Sequence, residues 1–348
     1  MLTVLDHISD ELLSKSAQEL YPFLPGPCLI HLDGAIPEPL FVSVLLHGNE
    51  FSGWEVIRQL IQNYKNQTLP RALSILIGNV KAASAAKRKL DDQPDFNRVW
   101  DDCESKEAHF MQEVLQQMQQ KNVFASIDIH NNTGFNPHYA CINTLQPAFL
   151  HLAHSFSRRI VYFIRPRGVQ SLAFSQLCPS VTLDCGQPGD QLGIEKALAL
   201  VDKFLHTVRH EQDELSTASY ELFHTMAVIK IPPEVSISFD SSPADIQFIQ
   251  GLEKHNFEDI DPDTMLAHIN TDSEQPFHLI AESGNEIFNE TFTIRDGKLF
   301  TNKTITPSML TDNITIVRQD CLCYLMERYQ LEWGEKVLIN DQTHSWSN

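Results

Sequence analysis

The stretch LFVSVLLHGNEFSGWEVIRQLIQNY, residues 40–64, decides the fold. Residues 40–46 are apolar apart from Ser43, as in a strand covered on both faces, and residues 54–64 carry apolar positions at helical spacing. A buried strand that ends in a short turn and re-enters the chain as a helix is the corner of an α/β unit. In open α/β sheets such strand ends line the ligand crevice. Outward from this corner, ALSILIG (72–78) and FASIDIH (124–130) read as two more buried strands, separated by a helix-like segment at 105–120. HYACI (138–142), IVYFI (160–164) and SVTLDCG (180–186) read as further strands, followed by an amphipathic helix over 193–208. The alternation predicts a mostly parallel or mixed sheet with helices on both faces.

From Glu221 onward the texture changes to short β-like runs, MAVIKI (226–231), VSISF (235–239), PFHLI (276–280) and the hairpin signal TFTI-RDG-KLF (291–300), broken by Pro, Asp, Asn and Gly. The expected organisation is an α/β domain over 1–215 and a smaller β-rich domain over 216–348.

Composition excludes several functions. Of 348 residues, 45 are acidic and 26 are Lys or Arg, a formal charge of −19 that repels nucleic acid and anionic membranes at long range. MLTVLDHISDELL carries acids where a secretory leader needs a basic start and a long apolar run, which predicts a cytoplasmic protein. Seven cysteines, at 28, 103, 141, 178, 185, 321 and 323, are scattered without a CxxC pair, as expected of reduced thiols. The expected partner is a small molecule, and self-association is left open.

His47 and Glu50 are three residues apart just past a buried strand, so one tight turn can aim both side chains at a point. A catalytic zinc takes three ligands of the His/Glu kind and keeps one position open; His130, ending another predicted strand, is the natural third. The expected cofactor is one Zn2+ per chain.

HGNEFSG (47–53), GNV (78–80), DFNRVW (95–100), DIHNNTG (128–134) and LDCGQPGD (183–190), in that order, resemble the succinylglutamate desuccinylase/aspartoacylase family of the zinc carboxypeptidase superfamily. The resemblance spans about residues 40–205. It implies a carboxypeptidase-like three-layer α/β/α domain with a mixed central sheet, followed by a smaller β-rich C-terminal domain, with zinc on His47, Glu50 and His130. It also implies that Asn97 and Arg98 grip a substrate carboxylate, that Asp95 orients a zinc histidine, and that Arg88 polarises the scissile carbonyl, although two extra residues separate Arg88 from DFNR. A planar guanidinium suits both arginine tasks, since it can bind a carboxylate through two parallel hydrogen bonds or stabilise a developing oxyanion. The other reading of Arg88 is an exposed member of the basic loop Lys87–Arg88–Lys89.

The chain departs from the family at the base. Where the family has a glutamate that takes a proton from the attacking water, LDCG supplies Asp184, shorter by one methylene, about 1.5 Å of reach. Glu195 could substitute, but its place within a helix reads as a surface acid. His138, near the expected site mouth, could contact substrate or shuttle protons. Arg165 and Arg167 in FIRPRG could add a carboxylate contact. His151, His154 and His224 show no partner pattern. Three readings stay open: amide hydrolysis of a small carboxylate-bearing substrate such as an N-acyl amino acid, a carboxypeptidase acting on small peptides, and a zinc-retaining pseudoenzyme with a binding role.

Overall fold

The apolar runs become the central strands of a mixed sheet. The computed structural model describes residues 2–102, 104–332 and 335–338, with Glu332 and 335–338 described as backbone; Cys103 lies outside the described residues, and none of the six described cysteines forms a disulfide. The chain divides into two compact units, residues 1–131 with 138–220, and residues 132–137 with 221–348.

The first unit runs β1 (Thr3–Leu5), α1 (Asp10–Leu13), β2 (Cys28–Leu32), β3 (Gly34–Val44), α2 (Ser52–Asn63), β4 (Leu69–Ile77), α3 (Val80–Ser84), α4 (Lys106–Gln120), β5 (Ala125–His130), β6 (Tyr139–Ile142), α5 (Pro147–His154), β7 (Arg159–Tyr162), α6 (Gln170–Phe174), β8 (Ser180–Asp184) and α7 (Gln191–His206). Its strands are ordered β1-β2-β4-β3-β5-β8-β6-β7. The β4-β3-β5-β8 run at its centre is parallel, and β2 on β4 and β6 on β8 are antiparallel.

Alternation along the strands divides the helices between two faces. Phe41, Leu29 and Leu76 pack with Ala108, Met111, Val114 and Met118 of α4 and with Phe174 of α6, whose ring stacks on Phe41 at 4.3 Å between centroids. On the opposite face α2 comes so close that a side chain on its Gly53 would meet Val44 and Ile129. Burying one such phenylalanine contributes roughly 2–3 kcal/mol. Because β3, β5 and β8 are parallel and in register, their C-terminal ends, with the HGNE turn, His130 and Asp184, fall on one edge of the sheet.

The second unit continues with β9 (Glu221–Lys230), β10 (Ile237–Ser238), β11 (Ile246–Phe248), β12 (Met265–Ile269), β13 (His278–Ala281), α8 (Phe288–Thr291), β14 (Phe292–Arg295), β15 (Lys298–Thr301), β16 (Thr306–Ser308), α9 (Ile314–Gln319), β17 (Cys323–Glu332) and β18 (Glu335–Leu338). One set of strands is built on β9, flanked by β13 and β17, the latter also pairing β16 and β18; the other runs β10-β11-β12-β15-β14. Phe277, Phe288 and Phe292 meet at its centre, 5.0–5.7 Å between ring centroids. The RDG signal is the β14–β15 hairpin, with Arg295 opposite Lys298 and Asp296 and Gly297 both at positive φ. The short segment 132–137 is fastened within this unit, its Asn136 Oδ1 accepting from Met309 N–H at 3.0 Å. No described helix is long and apolar enough to cross a membrane.

Candidate metal centre

The corner after β3 is shaped by backbone. Leu45 takes a positive φ of 57°, and the Glu50 N–H donates to the His47 carbonyl at 3.2 Å, closing the turn. Gly48 lies against α3: a Cβ there would stand 2.2 Å from Ala83 N, so only glycine lets the turn seat. Asn131 ties this corner to two strands. Its N–H donates to Glu50 Oε2 at 3.1 Å, its Oδ1 accepts from Ser52 N–H at 3.2 Å, and its Nδ2 donates to the Gly186 carbonyl at 3.1 Å.

The result is a buried cluster in which Glu50 joins two imidazoles. His47 Nδ1 lies 2.8 Å from Glu50 Oε1, and His130 Nδ1 lies 2.7 Å from Glu50 Oε2. Each ring's other nitrogen meets a second carboxylate, Asp95 at 3.0 Å from His47 Nε2 and Asp128 at 2.7 Å from His130 Nε2. Ser43 Oγ donates to Asp128 Oδ1 at 2.6 Å. Arg88 completes the ring, donating from Nε and Nη2 to Asp95 Oδ2 at 3.1 and 2.9 Å while its Nη1 stands 3.8 Å from Glu50.

Charge decides protonation here. Burial alone would raise the Glu50 carboxyl, but His47 and His130 outweigh it and hold it far below the carboxylate range. Burial likewise opposes ionisation of Asp95, which His47 and Arg88 keep well below its ordinary value. For His130 burial favours the neutral ring, yet Asp128 and Glu50 raise it to about 10. Such anionic pull on a buried imidazole is the field a cation would feel at the same point.

The donor set fits zinc. His47, Glu50 and His130 offer ligand atoms within 4.8 Å of one another, all buried. Two imidazoles and a carboxylate suit a catalytic site, and a carboxylate on the far nitrogen of each ring fixes the tautomer that leaves Nδ1 as the ligand atom.

The remaining sequence-derived candidates differ in placement. Asn97 Nδ2 lies 3.4 Å from His130 Nε2, and its Oδ1 accepts from the Gln170 N–H at 2.8 Å. Arg98 is half-buried, donates to the Asn97 carbonyl at 2.8 Å, and contributes its charge to Asp95. Arg88 is 6% exposed, whereas its neighbour Lys87 is exposed, so the surface-loop reading of Arg88 does not describe its position. Asp184 is buried and paired in register with His130, which puts both on one face of the sheet, and its Oδ1 accepts from the Gly186 N–H at 3.1 Å. Glu195 is exposed on α7. Arg165 and Arg167 are exposed; the adjacent Gly168 packs on the Arg98 carbonyl. Both ring nitrogens of His138 are engaged within the chain, by Asp190 and Lys196.

Sequence reading passed over Asp128, Ser43 and Asn131. Asp128 had a signal, since D-x-H on a strand puts both side chains on one face. Ser43, the polar interruption of an otherwise apolar run, had a weaker one. Asn131 had none beyond its place next to His130.

An α/β unit with a His-Glu-His corner at the carboxyl edge of its parallel strands defines the class: a carboxypeptidase-like α/β fold with a candidate metal site. Residues 39–169 match the model of the succinylglutamate desuccinylase/aspartoacylase catalytic domain. Over that segment the chain is similar to the family. Among solved structures it is similar to a succinylglutamate desuccinylase from Chromobacterium violaceum (16% identity, 85% of this chain and 86% of that one, TM-score 0.55). It is also similar to one from Vibrio parahaemolyticus (13%, 86% and 84%, TM-score 0.56) and to murine aminoacylase 3 (15%, 84% and 96%, TM-score 0.54). At these identities the likeness is one of fold. No curated protein matches in sequence.

Proposed function

We propose that this chain is a zinc-dependent hydrolase that cleaves an amide bond in a small carboxylate-bearing substrate such as an N-acyl amino acid. The observation that carries the reading is the convergence of His47 Nδ1, Glu50 and His130 Nδ1, with Asp184 in register beside His130. The family match over residues 39–169, which hold His47, Glu50 and His130, and the likeness to a desuccinylase and an aminoacylase support the substrate class.

When bound, zinc would polarise the scissile carbonyl and acidify a water. The chain's own residues do the rest. Asp95 and Asp128 hold the two imidazoles in orientation. Arg98 and Asn97 grip the substrate carboxylate, a guanidinium and an amide supplying N–H donors to its oxygens. Arg88 Nη1, the nitrogen turned toward Glu50, stabilises negative charge developing on the carbonyl oxygen. Asp184 accepts a proton from the attacking water as the new C–O bond forms, and returns it to the nitrogen as the C–N bond breaks. Products are a carboxylate and an amine.

The test is a panel of N-acyl amino acids and small peptides assayed for amine release, with and without a chelator, on protein of measured zinc content. Chelator-sensitive release from the N-acyl amino acids is expected. Preference for peptides would move the reading to a carboxypeptidase. Stoichiometric zinc with no amine released from any substrate would overturn hydrolysis in favour of a binding role, which the aspartate at position 184 would then explain.

A further inference from the structure

His138 stands between a cation and an anion that both come from α7. Its Nδ1 lies 3.3 Å from Lys196 Nζ and its Nε2 lies 3.2 Å from Asp190 Oδ2. An ammonium only donates and a carboxylate only accepts, so this geometry suits the tautomer that accepts at Nδ1 and donates from Nε2. Asp190 is also the N-cap of α7, its Oδ1 accepting from the Gly193 N–H at 3.0 Å, and the His138 carbonyl accepts from Ser157 Oγ at 2.8 Å. The imidazole thus joins the start of β6 to two points on one helix.

Gly186 lies beneath this pair. It has a φ of +74°, and a Cβ on it would fall 2.8 Å from Asp190 Oδ2 and 3.1 Å from His138 Nε2. Its N–H donates to Asp184 Oδ1 at 3.1 Å, and its carbonyl accepts from Asn131 Nδ2 at 3.1 Å. One residue, Gly186, therefore has the His138–Asp190 pair packed against its Cα and the Asp184 carboxylate hydrogen-bonded to its N–H.

We propose that Lys196, His138 and Asp190 form a positioning relay that seats Gly186 and, through its N–H, aims the Asp184 carboxylate. The inference rests on Asp184 being the proton acceptor of the hydrolysis proposed above. His138 acts through Gly186, with no nitrogen left for substrate.

The experiment compares Asp184→Asn, His138→Phe and Lys196→Met in the full zinc-loaded chain. It measures kcat and KM on the best substrate, zinc content, and the tautomer of His138 from its ring 15N shifts. The wild-type ring is expected in the single Nε2–H form, and Lys196→Met to convert it to a mixture. Displacing a catalytic group by about an ångström costs roughly a hundredfold, so His138→Phe is expected to lower kcat by about ten- to a hundredfold and Lys196→Met by less, with KM and zinc content held. His138→Phe leaving kcat within about twofold of wild type while Asp184→Asn abolishes turnover would overturn the relay alone. So would parallel loss of zinc and substrate affinity, the mark of a structural role. If Asp184→Asn keeps wild-type turnover, the reading of Asp184 falls instead.

Discussion

His130 in the first unit is a buried imidazole and His224 in the second a half-buried one, and each has a carboxylate facing each ring nitrogen. For His130 the partners are Glu50 and Asp128; for His224 they are Glu282, at 3.2 Å, and Glu327, at 3.8 Å. In both, burial favours the neutral ring and is outweighed by the acids, which raise His130 to about 10 and His224 to about 9. The difference lies in where the second oxygen goes. Glu50 carries its other oxygen to His47 Nδ1, so three ligand atoms face one point. Glu282 and Glu327 stand on opposite sides of one ring, with no second histidine to close a ligand set among the described residues. The same residue types offer a candidate ligand set in one place and only an ion-paired histidine in the other, because convergence, not composition, defines a ligand set.

The largest break in that comparison comes from Glu50→Ala, which removes the bridging oxygens and leaves two imidazoles beside Arg88. Zinc content is expected to fall to background by atomic absorption and amine release to drop by about a thousandfold or more. Glu327→Gln, the corresponding change in the second unit, should leave zinc content at the wild-type level; a loss there would dissolve the contrast.

A smaller effect should follow from the carboxylates behind the rings. Asp128→Asn and Asp95→Asn are each expected to weaken zinc binding by roughly ten- to a hundredfold in a competition titration with a chromogenic chelator. Unchanged affinity in both would mean that the rings need no such support.

The smallest effect is the pH response of the second cluster. The folded-state value of His224, about 9, is raised above its ordinary 6.5. The protonated ring therefore stabilises the fold fully below about pH 6.5, and that contribution is lost as pH rises through about 9. His224→Gln should lower stability by about 1–3 kcal/mol at pH 6 and by much less at pH 10, read from urea midpoints. A gap that widens with pH would reverse the assigned sign.

Much of the fold was legible because it is written locally. LFVSVLL and FASIDIH announce strands covered on both faces, and the structure makes them β3 and β5 at the sheet centre. CLIHL, which becomes β2, and CYLMERYQLE, which becomes β17, passed unread: the first is only five residues long, and the second mixes charges into a strand that pairs on both sides. Of the site, the ligand types were legible because a turn and two strand ends carry them. Arg88 was nominated only through the resemblance, since a basic triplet by itself reads the same whether its middle member faces water or, as here, is buried against Asp95.

The sequence by itself determined that His47, Glu50 and His130 end apolar strands or the turn beyond them, because alternation and apolar continuity act between near neighbours in the chain. Only the tertiary structure decided that Nδ1 of each imidazole is the inward nitrogen, that Asp128 stands behind one ring and Asp95 behind the other, and that His138 is spoken for by α7. Those outcomes depend on groups brought together from distant parts of the chain, Glu50 with His130 and His138 with Lys196, and on the exclusion of water around them, which no local pattern encodes.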